Sequence, residues 1–127
     1  MEAIYRVVTN KSFDDVVAAV QEQTKANGFR VLHTHDVQAT LAEKNFSREP
    51  LKIIEVCNAK YANDALSIDV SVSLLMPCRI NVYQEEGKTV ISTVLPKALI
   101  TVFNNESLAN FANEIEPILL KIIDQSR

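Results

Sequence analysis

Pro77-Cys78-Arg79-Ile80-Asn81-Val82-Tyr83-Gln84-Glu85-Glu86-Gly87-Lys88-Thr89-Val90-Ile91-Ser92-Thr93-Val94-Leu95 is the stretch on which the fold turns. Two alternating, β-branched runs, 78–84 and 89–95, flank a short polar segment in which Gly87 supplies the turn conformation. That pattern predicts a hairpin, and its apolar content places both strands at the centre of an antiparallel sheet.

Upstream, residues 3–8 alternate and read as a first strand. Ser12 is a good N-cap, Asp14 and Asp15 suit a positive helix end, and Phe13, Val16, Val17, Val20 and Thr24 mark one face of a helix that Gly28 stops. A second strand follows over 29–35, with Phe29, Val31, His33 and His35 on one face if the period of two is unbroken. Asp36 caps a short helix over 37–44, and Asn45 suits the left-handed turn at its end. Residues 51–57 alternate again, and Asn58 caps a helix through Ala59, Ala62, Ala65 and Leu66. Ile68, Val70, Val72 and Leu74 also alternate like a strand. The chain closes with an amphipathic helix over 106–125, which Pro117 is expected to kink or split. Two long helices and four to five strands, partly joined by a hairpin, predict a two-layer α+β single domain over 1–127, with an antiparallel sheet packed against the helices.

With 127 residues, 47% of them apolar, and only two glycines and four prolines, the chain is long enough to bury a core and has no low-complexity linker. A net charge of −3 without a basic stripe predicts no nucleic-acid or membrane partner. Glu2 stands where a secretory signal carries basic residues, and the apolar stretches at 94–103 and 118–123 are lysine-broken and short, so the expected location is cytoplasmic. Ile118, Leu119, Leu120, Ile122 and Ile123 surround more of the last helix than one core face needs, which favours a homodimer.

The residues with chemical potential are the two cysteines, Cys57 and Cys78, each at the junction of a strand and a turn. A cytoplasmic setting makes them thiols rather than a disulfide. Cys57 precedes a helix N-terminus, which can lower a thiol pKa, whereas both residues also suit burial as small hydrophobes. His33 and His35, spaced to one side of a strand, would complete with Cys57 and Cys78 a four-ligand soft site for Zn or Cu(I), although no tight Cys-x-x-Cys pair is present and no cofactor is required. Asp36 could orient an imidazole as well as cap its helix, and Arg79 could hold an anion at the rim. No acid–base dyad, phosphate-binding glycine loop or Gly-x-Ser-x-Gly motif occurs, so an enzyme is the less favoured class.

His35-Asp36, Glu55-Val56-Cys57-Asn58 and Pro77-Cys78-Arg79, each in its expected structural context, resemble the bacterial family known as domain of unknown function 302. Ala59 and Met76 depart from the proline and leucine usual there. The resemblance implies a curved antiparallel sheet in a TATA-binding-protein-like arrangement, often dimeric, and an irregular approach to Pro77 rather than a strand; it implies no activity. Two functional readings stand beside each other. One is a thiol-based ligand-binding, redox, sulfur- or metal-handling module centred on Cys57, Cys78, His35, Asp36 and Arg79. The other is a non-catalytic dimeric interaction domain with structural cysteines.

Overall fold

The computed structural model describes residues 2–127. Five strands, β1 (Ile4–Thr9), β2 (Arg30–Asp36), β3 (Leu51–Cys57), β4 (Cys78–Glu85) and β5 (Lys88–Val94), form one sheet. Its order is β1-β5-β4-β3-β2 and every pairing is antiparallel. The hairpin is the sheet's organiser. Glu86 and Gly87 both adopt positive φ (53° and 78°), the tight turn that matches strand twist. With Glu85 opposite Lys88, the register runs on to place Asn81 opposite Ser92.

Five helices connect and cover the strands: α1 (Phe13–Ala26), α2 (Val37–Ala42), α3 (Ala59–Ile68), α4 (Pro96–Leu99) and α5 (Glu106–Ser126). Ser12 caps α1 by accepting from the Asp15 amide at 3.1 Å, and Gly28, at φ 80°, turns the chain out of it. Asp36 caps α2 and Asn45 adopts the left-handed turn at φ 66°, both as the sequence indicates. Val16, Val17 and Val20 of α1 and Ile115, Leu119, Ile122 and Ile123 of α5 pack with Val7, Ile54, Val56, Ile80, Val82 and Ile91 of the sheet. A smaller cluster joins Ala65, Val72, Ile100, Leu108 and Ala112, under the ends of α3, α4 and α5.

Pro117 does not split α5, which runs unbroken over its 21 residues. The preceding Glu116 turns inward instead, and its carboxylate accepts from the Lys97 amide at 3.1 Å, capping α4. Of the apolar stripe on α5, Leu119, Ile122 and Ile123 are buried and Ile118 packs against the main core, while Leu120 is partly exposed.

Residues 70–75 form a 3₁₀ turn, the irregular approach that the family resemblance implies, and not the strand their alternation allows; of the alternating set only Val72 is buried, while Val70 and Leu74 are 71% and 82% exposed. One sequence expectation is corrected. In β2 the register shifts between Val31 and His33, so Val31 pairs with Val56 towards the helices while His33 and His35 pair with Glu55 and Ile53 on the opposite face. A bulge of this kind breaks the period of two. Phe29 and Val31 thus belong to the core and the histidines do not.

Candidate functional site

Because all helices that build the main core lie against one face, the other face of the sheet is left open. Ile4, Arg6 and Val8 of β1, Arg79, Tyr83 and Glu85 of β4, and His33 and His35 of β2 stand on it. Most of its polar groups are paired. Arg6 reaches Glu85 at 2.8 Å and lies 3.4 Å from the Tyr83 hydroxyl. His35 Nε2 lies 3.2 Å from Glu55 Oε2, and its ring meets His33 edge-on at 4.4 Å between centroids. Arg79, directly opposite Glu55 across the strands, is not part of this pairing and has no side-chain hydrogen bond or ion pair among the described residues.

The cysteines meet at one cavity. Cys57 ends β3 immediately before Asn58, Cys78 begins β4 opposite Val56, and both line a small cavity of about 40 Å³ walled by Phe29, Tyr61, Val72, Phe111 and Ile115. Burial pushes the Cys57 thiol up, opposed by the backbone N–H of Asn58. Burial pushes Cys78 up to about 11, with neighbouring Cys57 adding to the rise and Arg79 opposing it. The expected activation of Cys57 by the helix N-terminus is thereby reversed: desolvation of a thiolate in an apolar cavity outweighs one favourable amide. Both sulfurs are protonated thiols at neutral pH.

The four expected metal ligands are not assembled. His33 and His35 stand on the open face while Cys78 faces the helices, and no three His, Cys, Asp or Glu side chains meet in a metal-binding arrangement among the described residues. Asp36 is occupied as the cap of α2, accepting from the Ala39 amide at 3.0 Å.

Arg79 instead lines a groove of about 300 Å³ on the open face. Arg79, Asn81 and Ser92 form its floor. Ile4 and Val94 come from the neighbouring strands, and Leu74, Pro77 and Leu99 arrive from the 3₁₀ turn, the approach to β4 and α4. Pro77 and Cys78 are the seam, lining both this groove and the cavity beside the thiols. Asn81 Oδ1 is shut away from solvent and has no hydrogen-bond partner among the described residues. Native proteins leave few such atoms, because stripping an amide of water without replacing its bond costs roughly 1–3 kcal/mol.

Residues 5–126 match the profile of the domain of unknown function DUF302. The chain belongs to the DUF302 family. A crystal structure of an uncharacterized conserved DUF302 protein from Bacillus stearothermophilus is 31% identical, each chain is covered over 100% of its length, and the TM-score is 0.95. No curated protein matches the chain. Met76, where the family usually has leucine, packs on the smaller core cluster, a place that a volume-conserving exchange can fill. Ahead of Ala59, Asn58 holds the turn after Cys57 from both sides, accepting from the Tyr61 amide at 3.1 Å and donating to the Gly28 carbonyl at 2.9 Å.

Asn81, Ser92, Leu74 and Leu99 escaped the sequence reading. For the first two a signal existed, since hairpin register alone sets Asn81 against Ser92 and in phase with Arg79. For Leu74 and Leu99 there was none, because both reach the groove from segments remote from each other in the chain.

Proposed function

We propose that this DUF302 chain is a non-catalytic binding module for a small molecule, with the groove over Arg79, Asn81 and Ser92 as its working site and the cysteines as structural thiols. The observation that carries the reading is Asn81 Oδ1, buried and unpartnered on the floor of a 300 Å³ groove. Ligand sites are concave, largely apolar and furnished with a few convergent polar groups, which describes this groove and not the 40 Å³ cavity beside the thiols. Elevated thiol pKa values disfavour the thiolate that redox, sulfur-transfer or metal chemistry would use.

The test is a fragment screen read residue by residue in ¹⁵N–¹H spectra. Bound fragments are expected to move the amides of residues 79–81 and 92–94 in the wild type and equally in Cys57→Ser. Hits confined to the amides around Cys57 and Tyr61, or lost in Cys57→Ser, would restore the thiol reading.

A further inference from the structure

The groove holds three features of different chemistry, and together they specify a class of ligand. Arg79 presents a guanidinium with no carboxylate partner among the described residues: the acid opposite it, Glu55, is held by His35 Nε2 at 3.2 Å, whereas Arg6, also on the open face, is already paired with Glu85 at 2.8 Å. A planar fork of donors left free over a concave site is complementary to a carboxylate, which it can bind bidentately. Asn81, two residues along the same strand and on the same face, supplies a buried acceptor that lacks a donor. Ile4, Leu74, Val94 and Leu99 close the groove with hydrocarbon, and Leu74 and Ile4 remain 82% and 58% exposed. Aliphatic side chains this open, gathered at the lip of a groove, offer apolar area to whatever enters it.

Building on the groove assignment above, we infer that the ligand is a small aliphatic monocarboxylate bearing a hydrogen-bond donor near its acid end. Its carboxylate pairs with Arg79, its alkyl chain lies against Ile4, Leu74 and Leu99, and its hydroxyl or amide N–H donates to Asn81 Oδ1 once rotation of the Asn81 side chain turns that covered oxygen into the groove. The groove's 300 Å³ is at the low end of the range for ligand sites, which fits a metabolite of this size.

Four matched probes, octanoate, 3-hydroxyoctanoate, 1-octanol and octylamine, separate the terms when titrated into the full chain and followed at residues 79–81 and 92–94. Octanoate is expected to bind in the groove at least tenfold tighter than octanol or octylamine, and 3-hydroxyoctanoate tighter still. Arg79→Gln should narrow the octanoate-over-octanol preference to less than threefold, and Asn81→Leu should erase the advantage of the hydroxylated acid. If octanol or octylamine binds the groove as well as octanoate, or Arg79→Gln leaves the preference intact, the carboxylate assignment is overturned while the groove stands. If no probe moves the groove amides, both fall.

Discussion

Cys78 should be a slow nucleophile, and the structure says how slow. A thiol at the ordinary value of 9.0 is about 3% thiolate at pH 7.5, whereas at a pKa of about 11 the fraction is about 0.03%, a hundredfold loss. A more basic thiolate is the better nucleophile, with a Brønsted coefficient of about 0.4–0.5, so two units restore roughly six- to tenfold. The net chemical penalty is about tenfold, and the cavity walls around the sulfur, Phe111 and Ile115 among them, add steric exclusion. Alkylation by iodoacetamide at pH 7.5, followed by mass spectrometry of the Cys78 peptide, is therefore expected to run at least tenfold slower in the folded chain than in urea. Between pH 8 and 10 the folded rate should keep rising about tenfold per unit, without the flattening that an unperturbed thiol shows near 9. Repeating the measurement in sub-denaturing urea checks that the reagent enters the native state. Folded and unfolded rates within twofold of each other, or a plateau beginning at or below pH 9, would refute the desolvation argument and return Cys78 to the candidates for thiol chemistry.

The same shift makes a stability prediction. Because folding raises the Cys78 pKa, the native chain holds that proton more tightly than the unfolded chain does; the associated stability is complete below about pH 9 and is lost as pH rises through the folded value near 11. Two units correspond to about 2–3 kcal/mol, so chemical denaturation at pH 8 and pH 10.5 should show a steeper loss for wild type than for Cys78→Ala; equal slopes would contradict it. Asn58→Ala removes the α3 cap and the tie to the Gly28 carbonyl together. It should lower stability by about 1–2 kcal/mol at unchanged denaturant m-value, and a loss below about 0.5 kcal/mol would mean that the turn after Cys57 is held by packing alone.

What the sequence disclosed and what it withheld follow from how far apart the causes lie. The α1 cap at Ser12, the stop at Gly28 and the hairpin at Gly87 are decided by neighbours a few residues away, and all were legible. The face of His33 was not, because one bulged residue inverts every side chain that follows it, and nothing in Val31-Leu32-His33 announces the shift. Val70, Val72 and Leu74 share the spacing of a strand, yet only Val72 finds a core, against Ala65 and Leu108. Leu74 is spaced for burial and is exposed because its partners form the lip of a groove instead of a core. Helix α4 carried a usable signal in Pro96, at the first helical position where its missing N–H costs nothing, but its brevity leaves no periodicity to read.

The Pro77-Cys78-Arg79 motif acquires a different meaning once its two faces are separated. Alternation along β4 sends Cys78 inward, opposite Val56, and Arg79 outward, opposite Glu55. The inward position borders a cavity of about 40 Å³ and tolerates only a small apolar side chain; a thiol meets that requirement, and its protonation follows from the site. The outward position has room for a long side chain over the groove, and Arg79 there gains a free guanidinium because Glu55 is engaged by His35. Cys78 thus contributes to the groove chiefly by being inert: it closes the wall between groove and core. Any side chain that needed water at this position would open that wall and displace the arginine next to it. Exchange of Cys78 for alanine should therefore preserve groove binding, whereas exchange for aspartate should abolish it together with the fold of β4; a chain that binds its ligand only with an intact thiol at position 78 would show that the sulfur, and not its size, is what the site requires.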